Sequence, residues 1–343
     1  MAYTTINKSS EYFNTKLYTG TGATQSITGV GFQPDFLWIK SRGLARSNQI
    51  NDVVRGAGKI IATDNSSVEF TDTNRITTLD SDGFTLGSND NVNGSSDNLV
   101  SWNWLANGSG VSNTDGSITS TVSANTTSGF SVVTYTGTAS NATVGHGLGA
   151  KPAMIIAKNL ITNGEDWAVY HKSLGGYQYY LKLNGTTAVL TNTNRWNAEP
   201  DTNVFNVGAV GETNGSGTSQ VAYVFVEKKG YSKFGSYVGN GNADGPFIYT
   251  GFKPAFIITK CSSASGEWEI YDNKRTTYNV ATSTLEAQSS SAELNYYSID
   301  ILSNGFKQRQ SYNTQNQSGA TFIYMAFAEE PLVGTNNIPA TAR

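Results

Sequence analysis

The sequence is short of the residues that most catalytic and metal chemistry draws on. It has one cysteine, Cys261, and two histidines, His146 and His171, among 343 residues. A lone cysteine forms no intrachain disulfide, so this is not a disulfide scaffold. The two histidines and the thiol lie in separate segments with none of the usual zinc-ligand spacing. Charge is scarce too: 14% of residues are Asp, Glu, Lys or Arg, and the net charge is −3. With no basic run, nothing attracts nucleic acid or an anionic membrane surface. No apolar stretch is as long as a membrane-spanning helix, so no membrane insertion is expected. The amino terminus, Met1 to Lys8, lacks the charged and apolar regions of a secretory signal, which points to synthesis in a cytoplasm. Helical periodicity is nearly absent.

What is present is repetition. The phrase Gly31-Phe32-Gln33-Pro34-Asp35-Phe36-Leu37-Trp38-Ile39-Lys40 returns as Gly149 to Lys158 and as Gly251 to Lys260. Each copy has a proline, an apolar run and a closing lysine. The copies are on the order of a hundred residues apart, the size of a domain and not of a solenoid repeat. Glycine turns precede each copy (Gly20, Gly137, Gly239), and an alternating strand closes it, in which Trp104, Phe225 and Phe327 correspond. The expected fold is all-β, a threefold internal repeat of tandem β-sandwich, jelly-roll-like domains. The boundaries expected are a short arm at 1–10, repeats at 11–110, 128–229 and 230–333, a polar linker or insertion at 111–127 and a tail at 334–343. A two-residue hairpin is expected at Asn184-Gly185. Trp167 and Trp268 open matching strands; in the first copy Gln49 to Val54 takes their place, with no such tryptophan.

Chemistry-bearing patterns are few. Glu165-Asp166, Glu267 with Glu269, and Glu227 with Glu329 are the carboxylate pairs, and they follow the repeat more than any cleft. There is no nucleophile elbow and no phosphate-binding loop. No catalytic residue and no cofactor is therefore assigned, and the protein is expected not to be an enzyme. Asp90, Asn91, Asn93 and Asp97 resemble a calcium loop, but its closing glutamate is missing and a solvated hairpin loop is the better reading. The aromatic residues are the remaining resource. Trp196, in the polar loop from Asn192 to Pro200, and the clusters Tyr179, Tyr180 and Tyr296, Tyr297 are candidate contacts to a glycan, although aromatics equally fill cores and interfaces.

The stretches Gly129 to Asn159 and Phe322 to Arg343 resemble a domain of virion structural proteins of tailed bacteriophages, found in tail fibres, tailspikes and related appendages. The likeness covers roughly Phe13 to Val333. It implies a virion component assembled in the host cytoplasm, with other virion proteins as partners, a trimeric homo-oligomer, and attachment to a host-surface glycan or receptor. Repeated weak sites would gain from avidity. The alternative is a purely structural part, a head decoration protein or a tail adaptor or nozzle protein; only a short segment precedes the first repeat, which favours it. A polysaccharide depolymerase is a third reading.

Overall fold

The computed structural model describes residues 4–296 and 298–333. Among them the chain is all-β, built from antiparallel sheets with three one-turn α-helices and two 3-10 turns, Ser9–Glu11 and Lys172–Leu174. Module 1 contains β1 (Phe13–Thr19), β2 (Gln25–Thr28), β3 (Phe36–Ser41), β4 (Gln49–Asp52), β5 (Lys59–Ile60), β6 (Phe70–Thr71), β7 (Ile76–Asp80), β8 (Gly83–Leu86), α1 (Asp90–Asn93) and β9 (Asn98–Trp104). Module 2 contains β10 (Val111–Asn113), β11 (Ser120–Asn125), β12 (Phe130–Thr136), β13 (Ala142–Gly145), β14 (Met154–Asn159), β15 (Ala168–His171), β16 (Tyr179–Lys182), β17 (Leu190–Thr191), β18 (Val204–Val207), α2 (Gly211–Asn214) and β19 (Ser219–Phe225). Module 3 contains β20 (Ser232–Val238), β21 (Phe247–Tyr249), β22 (Phe252–Cys261), β23 (Trp268–Asp272), β24 (Leu285–Glu286), β25 (Ile299–Leu302), β26 (Gly305–Gln308), α3 (Asn313–Asn316) and β27 (Thr321–Pro331).

One strand order recurs. The large sheets run β1-β9-β3-β4, β12-β19-β14-β15 and β20-β27-β22-β23, and the small sheets are β2-β8-β7, β13-β18 and β21-β26-β25. The apolar phrases are continuous because both faces of each large sheet are covered. In β14, Ile155 and Ala157 point to the small sheet of their own module, while Met154 and Ile156 point the other way. The second set meets its counterparts from all three modules, among them Phe36, Trp102, Trp104, Tyr223, Phe225, Phe256 and Phe327, in one shared core. Trp104 and Phe225 each pack against Phe327, with ring centroids 5.6 and 6.0 Å apart. The modules are thus three walls around a single interior.

Polar ties close these walls into a ring. Trp167 of module 2 donates its indole N–H to Ala62 O of module 1, at 2.8 Å. Trp268 of module 3 donates to Lys182 O of module 2, also at 2.8 Å. Asn48 holds the matching place in module 1, and its amide reaches the carbonyls of Glu286, Ala287 and Ser289 in module 3. The closing lysines repeat the circuit. Lys158 Nζ reaches Ser66 O, Lys260 Nζ reaches Thr186 O, and Lys40 Nζ reaches Ser290 O. A third circuit joins Tyr223 to Asp52, Trp102 to Asp272, and His171 to Tyr324 O. In the first two circuits module 2 reaches module 1, module 1 reaches module 3 and module 3 reaches module 2; the third joins the same three pairs, but there His171 of module 2 reaches module 3.

Each of the three α-helical turns ends on a buried asparagine that pins the early turn of its module. Asn93, Asn214 and Asn316 each donate to two backbone carbonyls across the loop and accept a backbone N–H, from Thr21, Thr138 and Asn240 respectively. The chains approach so closely there that a Cβ at Gly20, Gly137 or Gly239 would collide with backbone, which explains the repeated glycine.

Two sequence expectations need correcting. The stretch 111–127 is an insertion and not a linker: it supplies β10 and β11, which add to the free edge of β12. Asn184-Gly185 does not close a two-residue hairpin either. Tyr180 pairs with Leu190, so the loop is longer. Its carbonyl at Thr186 accepts from Lys260 Nζ, Ser265 Oγ and Gly266 N. Contact with module 3 holds the loop open against the local turn preference.

Candidate functional site

Adding β10 and β11 widens the large sheet of module 2 beyond the part that module 1 covers. The overhang forms the wall of an open groove of about 380 Å³ between modules 1 and 2. The groove crosses β11, β12 and β19. Pairing of Ser120 with Tyr135 and of Tyr135 with Gln220 aligns these three residues beneath it. Side chains alternate along a strand, so the neighbours of this row stand on the groove side. Thr119, Thr136 and Ser219 form one rank, and Thr121 and Thr134 the other. None of the four threonine hydroxyls has a protein partner among the described residues, and Thr119, Thr121 and Thr136 are exposed.

Module 1 and the loop after β14 supply the opposite wall. Val54, Leu160 and Ile161 give it an apolar patch, with Ile161 57% exposed. Arg55 and Glu69 give it charge, joined at 2.9 Å; Glu69 also meets Lys59 at 3.4 Å. Burial works against the Arg55 charge, but Asp52, Tyr223 and Glu69 outweigh it and raise its pKa above the ordinary value. The guanidinium is therefore a fixed cation. Asp52 lies behind it, fully buried and bonded to Arg55 and Tyr223, out of reach of a ligand. The groove thus offers free hydroxyls, one carboxylate held by the buried Arg55, and a small apolar face, which are groups that bind a neutral polyhydroxyl ligand.

The candidates from sequence fall elsewhere. Trp196 is 1% exposed and packs in the core of module 2, its ring 6.4 Å from Tyr170, so it is not an exposed contact. Its loop is polar on the outside only. Tyr180 is also buried, with the Arg195 guanidinium 3.5 Å above its ring. Tyr179 is half-buried on β16. Tyr296 is exposed, its ring 6.3 Å from that of Tyr312, in module 3 and not in the groove. Tyr297 lies outside the described residues.

The calcium-loop reading is overturned by where its side chains point. Asn89 caps α1 by accepting from Asn91 N, and Asn93 spends its amide on Ala23 O and Gly87 O. Asp97 is buried, accepting from Ser41 Oγ, and Arg46 reaches both Asp97 and Asp90. A guanidinium occupies the space between the carboxylates, and no group of metal-ligating side chains is found among the described residues. The segment is a capped helical turn and not a solvated hairpin loop.

Sequence reasoning missed the groove because it lies on the supposed linker. The signal was present in the alternation of Ile118, Ser120 and Val122 with Thr119 and Thr121, which is a strand pattern. Thr134-Tyr135-Thr136 repeats it on the neighbouring strand.

Comparison with known families adds one assignment. Residues 8–331 match the model of a domain of unknown function, DUF7483. The chain belongs to the DUF7483 family. The match runs from just before β1 to the end of β27, so the family is defined on the whole ring and not on one module. No curated protein matches the chain.

Proposed function

We propose that this protein is a non-enzymatic virion structural protein of a tailed bacteriophage, carried on a tail fibre or related appendage, that binds host-surface glycan in the groove between modules 1 and 2. The observation that carries the glycan reading is the pair of threonine ranks facing the groove with their hydroxyls unpartnered. Sugar hydroxyls both donate and accept, as threonine does, and the C–H face of a sugar ring suits Val54 and Ile161. The phage setting rests on the sequence resemblance. The groove is lined by a single carboxylate, Glu69, which is held by Arg55 and Lys59. A glycosidase of the usual kind uses two carboxyl groups flanking the bond. This supports binding over cleavage.

The trimer implied by the resemblance has a counterpart inside the chain, where three modules already enclose one core. A homotrimer would be built around this ring as a unit.

The test is binding to a panel of bacterial capsular and lipopolysaccharide glycans, followed on intact cells of the strains that score. Saturable binding is expected, lost when Thr134→Trp fills the groove and retained with Thr202→Trp at an exposed turn of module 2 outside the groove. A folded protein that binds no glycan, or binds equally well with the groove filled, would refute the reading. Release of oligosaccharide from the bound polymer would replace it with a depolymerase.

A further inference from the structure

The internal repeat provides a control that a single domain lacks. Where the same fold position is polar in two modules and apolar in the third, the fold is not what demands the apolar residue. The outer face of the small sheet is such a position. In module 3, Phe247, Lys307 and Asp300 stand side by side on β21, β26 and β25. The matching row is Ser26, Thr85 and Thr78 in module 1, and Thr143 and Asn206 in module 2. The next row in module 3 is Tyr249, Gly305 and Leu302, against Thr28, Gly83 and Asp80 in module 1. The segment at 278–281 flanks β25, bridged from Ala281 to Ile299 and from the Asn279 amide to both backbone groups of Ile301. It brings Val280 and Tyr278 to the far side of the same face. Phe247, Tyr249, Val280 and Tyr278 are 46, 52, 41 and 78% exposed, while Ile248, Phe306, Ile301 and Ile299 between them are buried.

We propose that this face pairs two copies of the chain about a twofold axis parallel to the strands, midway between β25 and β26. The argument is complementarity. Across the sheet the face reads apolar, positive, negative, apolar: Phe247 and Tyr249, then Lys307, then Asp300, then Val280 and Tyr278. A pattern of that kind is its own complement when turned over. The twofold sets Lys307 of one copy against Asp300 of the other, twice, and sets Phe247 and Tyr249 against Val280 and Tyr278, twice. Such an isologous contact is the commonest route to a dimer. The flanking charges balance as well: Asp244 lies 2.6 Å from Lys307, and Arg309 lies 3.3 Å from Asp300, so the stacked faces meet without net repulsion. At the usual strand spacing the face is about 14 Å wide, and it would bury roughly 300 Å² per copy. Stable interfaces bury about 800 Å² per partner, so this pairing is weak and becomes firm only where copies are held close, as in an assembled particle. It does not depend on the groove or its ligand.

The test is sedimentation velocity of the full chain over a wide concentration range, up to roughly millimolar, where such weak pairing is measurable. A monomer–dimer equilibrium is expected. K307D sets carboxylate against carboxylate and should weaken association about tenfold or more. Adding D300K to K307D restores the opposite-charge pattern and should restore the dimer. Tyr278→Ser should weaken it without changing the charge. Thr85 and Asn206 stand at the place of Lys307 and Thr78 at that of Asp300, and Tyr278 is largely exposed, so the variants should fold, and a circular dichroism spectrum like the wild type's would verify it. A chain that stays monomeric throughout overturns the proposal, and so does a dimer indifferent to all three variants. Retention of glycan on this face, lost with Tyr278→Ser in a monomeric protein, would assign the face to a sugar instead.

Discussion

The Tyr223 hydroxyl lies 2.8 Å from Asp52 Oδ2, joining β19 of module 2 to the end of β4 in module 1. Both residues are fully buried, and Arg55 stands beside them, bonded to Asp52 and 3.3 Å from the tyrosine oxygen. Trp102 repeats the arrangement on Asp272, with Arg275 as the cation. In the third position His171 replaces the aspartate, and a backbone carbonyl replaces the aromatic donor. The same interface is thus built twice with charge and once without.

Because the interior is shared, the three modules should unfold together. Tyr223→Phe removes one buried hydrogen bond to a charged group and should cost about 1.5–3 kcal/mol. Urea unfolding should show one transition, displaced as a whole to lower denaturant. Separate transitions for the modules by hydrogen exchange would contradict a common core.

Asn48 does the work of a tryptophan with a smaller side chain. It accepts from Trp38 Nε1 at 2.9 Å and donates toward three carbonyls of module 3. Asn48→Ala leaves these groups buried without a partner, and a loss of about 2–4 kcal/mol is expected from the chemical-denaturation midpoint. A change below about half a kcal/mol, which is typical of surface sites, would show that Asn48 is not a tie.

Acid should loosen the ring at its uncharged corner. Burial pushes the His171 pKa down to about 4, against an ordinary 6.5. Its Nδ1 accepts from Ser173 N, so the neutral ring carries its proton on Nε2, aimed at Tyr324 O. The unfolded chain therefore takes up a proton that the fold excludes. Stability from this group is complete above pH 6.5 and is lost as pH falls toward 4. Comparing wild type with His171→Gln at several pH values isolates the contribution: the variant should show a shallower fall across that window.

At the alkaline end the lysine circuit acts in the same sense. Burial lowers Lys40, Lys158 and Lys260 each to about 8 from 10.5, against the pull of nearby acidic groups. Between these values the unfolded chain binds more protons than the folded one, so stability should rise with pH from about 8 upward. Lys158→Met should reduce the proton uptake on unfolding at pH 9, read by potentiometric titration. An unchanged proton count would mean that the lysines stay charged in the fold.

Much of the fold was legible because repetition exposes equivalent positions. The apolar phrases around Trp38, Ile155 and Ile257, and the match of Trp104 with Phe225 and Phe327, can be read from the sequence as core strands. A run such as Met154-Ile155-Ile156-Ala157 says that both faces are covered, but not that one of them faces two other modules. The closing lysines were visible as part of the phrase, yet a lysine ordinarily ends a strand in water, and only the closed ring shows why each is buried. Trp196 misled because its neighbours are polar, and neighbours along the chain do not report what covers a side chain from elsewhere. The groove escaped notice for a related reason: Thr119 and Thr121 acquire their meaning only when β11 lies beside β12.

The cyclic ties also fix a number. A solenoid grows by stacking, and a unit can be added or lost at either end without disturbing the rest. Here Asn48 and Lys40 of the first module already grip the third, so no module has a vacant neighbour. A fourth copy would find no seat, and a chain of two would leave tryptophans and lysines facing water. Within that closed count the modules differ in what each adds or exchanges: a hairpin on the second, an asparagine where the others have a tryptophan in the first, an aromatic face on the third.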